Sequence, residues 1–107
     1  MSNMSSKVAI VTGASSVQGI GAAIARRFAS DGASLALVAD APEAGLKAVA
    51  QECRALAGEG ATVRSEICDL ARAGEAERMI ERAVALFGRV DVLVNNAGVR
   101  ARVKFGV

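Results

Sequence analysis

Four short strand-like runs, separated by stretches whose apolar residues recur at helical spacing, constrain this chain more than any other feature. The runs are Lys7–Thr12 (KVAIVT), Ser34–Ala39 (SLALVA), Thr62–Ile67 (TVRSEI) and Val90–Asn95 (VDVLVN). The first is β-branched and nearly continuously apolar, the pattern of a strand covered on both faces, and the second is likewise an apolar run. Between them, Ile20–Asp31 sets Ile20, Ile24 and Phe28 on one helical face and stops at Gly32. Pro42–Ala57 aligns Leu46, Val49, Ala50, Cys53, Leu56 and Ala57, with Gly58 and Gly60 as breakers. Arg72–Phe87 aligns Ala76, Met79, Ile80, Ala83, Val84 and Phe87, and Gly88 closes it. This alternation predicts an α/β, doubly wound parallel sheet of four strands in the order 3-2-1-4, with right-handed crossovers and helices on both faces. Arg64 and Glu66 alternate with Val63, Ser65 and Ile67, which places the third strand at the outer edge. Residues 99–107 show no periodicity and read as an irregular tail of a single partial domain, 1–107. A sheet that stops at its fourth strand has an open apolar edge, so the chain reads as unfinished.

With 107 residues, 52% of them hydrophobic and 22% charged, the chain has the balance of one globular domain. A formal charge of +2, with both signs interleaved, gives no basic field and argues against a nucleic-acid partner. The polar segment Met1–Lys7 and the break at Thr12 and Gly13 leave neither a secretory leader nor a membrane span, so no membrane partner and a cytoplasmic location are expected. Cys53 and Cys68 lack CxxC spacing and there is no histidine, so reduced thiols are expected rather than zinc or a disulfide. Arg100, Arg102 and Lys104 read as a solvated loop.

The first run leads directly into Thr12-Gly13-Ala14-Ser15-Ser16-Val17-Gln18-Gly19-Ile20-Gly21. Between a strand and a helix, such a loop lets bare backbone approach an anion while the helix N-terminus offers free amides and partial positive charge. Glycines also serve simply to pack a helix against a sheet, but the strand and helix flanks favour pyrophosphate binding by Gly13, Gly19 and Gly21. No Gly-Lys-Ser/Thr follows, which excludes an ATPase loop. Asp40, some nineteen positions past Gly21 and just after the second strand, stands where an acid accepts from adenosine ribose hydroxyls. A cap for the helix near Pro42 is the other role open to it.

Taken together, Val11-Thr12-Gly13-Ala14-Ser15-Ser16, Gly19-Ile20-Gly21, Asp69 and Asn95-Asn96-Ala97-Gly98 resemble the short-chain dehydrogenase/reductase family, from Lys7 to about Val99. The resemblance implies a Rossmann-like fold and an NAD(P)-dependent oxidoreductase acting on an alcohol or ketone. By position it implies that Gly13, Ser15, Ser16, Gly19, Ile20 and Gly21 line the pyrophosphate and ribose, and that Asp69 and Leu70 meet the adenine. It further implies that Asn95, Ala97 and Gly98 run along the cofactor, with Asn95 also bracing the strand ends. Purely structural roles stay open for the asparagines and for Asp69 as a turn residue. A small-molecule substrate and a homo-oligomeric assembly are implied for a full-length parent.

This chain departs from the family pattern at two points. The loop from Gly13 to Gly19 is two residues longer than the family's commonest form, with Val17 and Gln18 as the extras. Asp40 falls one residue beyond the family's NAD-selecting acid, whose position holds Ala39. NAD is nonetheless expected over NADP, because neither Ala14–Gln18 nor Ala39–Ala44 contains a Lys or Arg for a 2′-phosphate. Asp40 would repel that phosphate by up to about 4 kcal/mol at about 4 Å and an effective dielectric of about 20.

The family transfers hydride with a serine, a tyrosine and a lysine, the last two four positions apart. Here there is no tyrosine, and the lysines are Lys7, Lys47 and Lys104, so no catalytic residue is assigned and this chain is not expected to catalyse. Two classes therefore remain: part of a longer oxidoreductase, or a non-catalytic module that binds a nucleotide or adds a partner strand at the open edge.

Overall fold

The structure, a computed structural model, describes residues 4–96. In chain order its elements are β1 (Val8–Thr12), α1 (Ile20–Ser30), β2 (Ser34–Ala39), α2 (Glu43–Ala57), β3 (Val63–Ile67), α3 (Glu75–Phe87) and β4 (Val92–Val94). The strands form one parallel sheet, β3-β2-β1-β4, as the alternation requires. Val8 lies opposite Ser34, Ala9 opposite Val92, and Leu35 opposite Val63.

The pleat divides the core. Ala9, Val11, Leu35 and Leu37 face α1 and α2, meeting Ala22, Ala25, Ala29, Leu46, Val49 and Cys53. Ile10 and Val38 point the other way, onto Met79 and Ala83 of α3 and onto Cys68. Full burial of a Val, Leu or Ile side chain contributes about 1.5–3 kcal/mol, so the two central strands supply much of the driving force.

The helix faces differ from the expected stripes. On α1 the buried residues are Gly21, Ala22, Ala25 and Ala29, whereas Ile20 is 67% exposed and Ile24 and Phe28 are half-buried. Small side chains let a helix close onto a sheet, and the bulky ones are splayed to its flanks. Leu56 on α2, Val84 on α3 and Ile67 at the end of edge strand β3 are exposed rather than buried. Each lies beyond the zone where helix and sheet meet.

Several boundaries also shift. Pro42 is the N-cap of α2, which starts at Glu43. The helix expected from Arg72 starts at Glu75, because Glu75 N–H bonds the Arg72 carbonyl in a turn and Gly74 is left-handed at φ 80°. β1 and β3 begin one residue late, at Val8 and Val63. β4 shrinks from Val90–Asn95 to Val92–Val94 as polar bonds claim its flanks: the Asp91 carboxylate accepts from Val8 N–H at 2.8 Å, and Asn96 turns toward β1. The tail at 99–107 lies outside the described residues. Among those described, no helix is long and apolar enough to cross a membrane.

Candidate functional site

Because all four strands are parallel, the loops that follow them emerge at one sheet edge, where open α/β sheets hold ligands. Hydrogen bonds tie these loops together. Gly13 N–H donates to the Val38 carbonyl at 2.8 Å, Ser15 Oγ to the Ala41 carbonyl at 2.7 Å, and Cys68 N–H to the Ala39 carbonyl at 2.9 Å. On the other side, buried Thr12 donates through Oγ1 to the Val94 carbonyl and accepts from Asn96 N–H, while Asn96 Nδ2 donates to the Gly13 carbonyl at 3.2 Å.

Gly13 leaves β1 at φ 69°, a left-handed bend that favours glycine. Further on, Gly19 N–H donates to the Ser16 carbonyl at 2.9 Å, closing a reverse turn whose central pair is Val17 and Gln18. Val17 and Gln18 are thus looped out. Ser16 and Gly19 stay together at the base of the turn, where a Cβ on Gly19 would lie 3.1 Å from Ser16 Cβ.

Gly19 also caps α1, in extended conformation and without a side-chain acceptor, and the first turn of α1 holds no acidic residue. Ala23 N–H bonds the Gly19 carbonyl at 3.1 Å, but among the described residues nothing accepts from the amides of Ile20, Gly21 and Ala22. Three bare donors at a helix N-terminus concentrate partial positive charge. Ile20, which carries the first of these amides, is itself exposed.

Asp40 is exposed, has no partner among the described residues and does not cap α2, whose N-cap makes no side-chain bond. The capping role is thereby corrected: Pro42 intervenes and the carboxylate is left to solvent. Asp69 does act as a turn residue, accepting from Ala71 N–H at 3.1 Å through Oδ1 and from Arg72 N–H through its carbonyl. Leu70 is half-buried against the α3-side core. Asn95 is exposed at the end of β4, and the brace between strand ends expected of it is made by Asn96 instead. Ala97 and Gly98 lie outside the described residues.

Thr12, Asn96 and Gly45 are structural contributors that the sequence reading did not single out. The first two lie inside the Thr12-Gly13 and Asn95-Asn96-Ala97-Gly98 motifs, which carry their signal in the sequence. Gly45 interrupts a helix-forming stretch, and a Cβ there would collide with the Ser15 carbonyl oxygen, so only glycine lets α2 pack this close to the loop. Cys68, under the Asp69 turn, donates to Glu75 Oε1 at 3.4 Å, and burial first and this bond second hold its thiol above the ordinary range. A groove of about 390 Å³ lies apart from this edge, between α3 and strands β2 and β3, with Arg64, Glu66 and Arg82 at its rim. An Arg82–Glu66 ion pair crosses that rim.

Residues 7–106 match the family model of the short chain dehydrogenases. The chain belongs to the short-chain dehydrogenase family. It is 46% identical over 99 residues to an uncharacterized oxidoreductase of Methylorubrum extorquens, covering 92% of this chain and 38% of that protein. A metagenomic short-chain oxidoreductase solved in complex with NADP superposes with a TM-score of 0.78 at 45% identity, over 92% of this chain and 42% of that one. NAD+-bound xylitol dehydrogenase superposes with a TM-score of 0.79 at 32% identity, over 90% and 35%. The chain therefore spans about a third of the length of the curated relatives it matches, and its four parallel strands and three helices are the Rossmann-like sheet of this family.

Proposed function

We propose that the chain forms the adenosine- and pyrophosphate-binding part of a nicotinamide-dinucleotide-dependent oxidoreductase acting on an alcohol or ketone, with NAD preferred to NADP. The observation that carries this reading is that, among the described residues, nothing accepts from the amides of Ile20, Gly21 and Ala22, while at the same sheet edge the exposed Asp40 has no partner among the described residues. A diphosphate satisfies the first and a ribose diol the second. In this reading Gly13, Ser15, Ser16 and Gly19 shape the cradle. Ser15 spends its proton on Ala41, which leaves its oxygen as an acceptor only. The free oxygen of Asp69 and the flank of Leu70 receive adenine, while Asn95, Ala97 and Gly98 follow the cofactor outward.

The bound dinucleotide would supply hydride transfer. With no tyrosine or histidine in the sequence, the chain's own residues bind and orient it, and the proposal assigns none of them to proton transfer. The alcohol or ketone substrate and homo-oligomeric assembly belong in this proposal to a full-length parent in the cytoplasm, where Cys53 and Cys68 stay reduced.

Isothermal titration of the folded chain with NAD+ and NADP+ tests the reading. Binding of both with NAD+ tighter is expected. No heat from either, with the circular dichroism of a folded α/β protein intact, overturns it, and tighter NADP+ overturns the stated preference.

A further inference from the structure

The Val17–Gln18 turn is held by a side chain outside the proposed cradle. Arg26, on α1, reaches back nine residues: its Nη1 donates to the Val17 carbonyl at 3.0 Å and to Glu52 Oε1 of α2 at 3.2 Å. Its neighbour Arg27 makes the usual helical pair, with Asp31 four residues on. Arg26 instead joins three separate pieces of the chain: the turn, α1 and α2.

Peptide planarity gives this bond a consequence. In a trans peptide the C=O and the next N–H point in opposite directions. Holding the Val17 carbonyl toward the α1–α2 flank therefore turns the Gln18 amide hydrogen away from that flank. Among the described residues nothing accepts from the Gln18 amide. Gln18 also directly precedes Gly19, the N-cap of α1, so its amide lies two residues before Ile20, the first bare amide of the helix. Glu52 balances the guanidinium, so Arg26 contributes orientation rather than net charge. Without a latch, an exposed two-residue extension would have to be ordered each time a ligand arrived, at an entropic cost to affinity.

We propose that Arg26, with Glu52 as its counter-ion, is a positioning residue that latches the Val17–Gln18 turn so that the Gln18 amide joins those of Ile20, Gly21 and Ala22 facing the diphosphate. This rests on the dinucleotide reading and adds to it a fourth donor and the side chain that aims it.

The test uses the full chain and its R26M, R26K and E52Q variants, titrated with NAD+ and with adenosine, which lacks the diphosphate. R26M is expected to weaken NAD+ about tenfold, the worth of one hydrogen bond, with adenosine changed less than about twofold. R26K, which keeps a charged donor on a single nitrogen, should recover part of the loss, and E52Q should lose less than R26M. A merely structural role would weaken both ligands together. Should R26M fail to fold, the wild-type chain still decides the matter: the Gln18 amide resonance must shift on adding NAD+ and must not shift on adding adenosine. Equal NAD+ affinity in wild type and R26M, or a silent Gln18 amide, overturns the latch while the dinucleotide reading stands. A folded wild-type chain that takes up no dinucleotide overturns both.

Discussion

Asn96 and Gly13 meet across 83 positions of sequence, the side-chain amide of one donating to the carbonyl of the other at 3.2 Å. Gly21, in the first turn of α1, is wedged against this pair: a Cβ there would lie 2.6 Å from the Gly13 oxygen and 2.9 Å from Asn96 Nδ2. The bond that ties β4 to the loop after β1 thus also fixes how close α1 may come. Replacing a helical glycine by alanine ordinarily gains up to about 1 kcal/mol. Here the clash is with backbone, which cannot swing aside, and overpacking of this kind costs about 1–3 kcal/mol. G21A is therefore expected to destabilise the chain, read as a lower urea midpoint at an unchanged slope.

Asn95 and Asn96 should separate in the same assay. N96A leaves the half-buried Gly13 carbonyl without its donor and is expected to cost about 1–2 kcal/mol. N95A removes an exposed side chain and is expected to stay within about 0.5 kcal/mol of wild type. Equal losses from the two would show that the brace lies elsewhere.

These neighbours show what could be read from sequence. Strand number, order and direction were legible because VAIVT is β-branched, runs such as VAIVT and SLALVA are too short for helices and alternate with helical stretches, and right-handed crossovers leave little choice of order. The buried face of α1 was not, because hydropathy ranks Ile20, Ile24 and Phe28 above Ala22, Ala25 and Ala29, whereas close helix–sheet approach selects for small size. The start of α3 was misplaced because the left-handed Gly74 stops the helix propagating back to Arg72. At the site, the motif named the loop and the acid. It did not reveal that Val17 and Gln18 form a closed turn, which depends on the bond from Gly19 to Ser16 and on the reach of Arg26 from α1. Nor could it choose between cap and free carboxylate for Asp40, because that depends on where the first turn of α2 begins.

Asp40 gives the sharpest test of cofactor preference. Its exposed carboxylate, with no partner among the described residues, is free to accept from a ribose diol and to repel a 2′-phosphate. D40N is expected to weaken NAD+ and strengthen NADP+, shifting their ratio of dissociation constants toward NADP+ by about tenfold or more, within the roughly 4 kcal/mol available to one like-charge contact. Because the site is exposed, the shift should shrink in 0.5 M salt. Competition titrations at two salt concentrations provide the check.

Asp91 ties the sheet to acid stability. The Arg89 guanidinium first, and the Val8 amide second, hold its carboxyl below the usual 3.8. A depressed carboxyl contributes stability above its unfolded value, and that contribution is lost as pH falls through the folded value. The chain should therefore lose stability below about pH 4, through the β1–β4 junction. D91N can still accept from Val8 but cannot pair with Arg89, so its acid limb should be flatter and its stability at pH 7 lower. Urea midpoints between pH 6 and pH 2 measure both.

Cys53 sets the opposite limb. It is fully buried among Val49, Ala50 and the α1-side core, and burial pushes its thiol from 9.0 up to about 11, with Arg26 pulling the other way. A thiol that is harder to ionise when folded contributes stability below its unfolded value of 9.0, and the contribution is lost as pH rises toward about 11. Wild type should therefore weaken between pH 9 and 11 more steeply than C53A, although C53A starts lower because it leaves a small cavity. Cys68 shifts in the same direction, so the difference between the two curves, not the wild-type slope alone, isolates Cys53. Parallel curves would mean that the thiol ionises as readily in the folded core as in the unfolded chain, and would overturn the prediction.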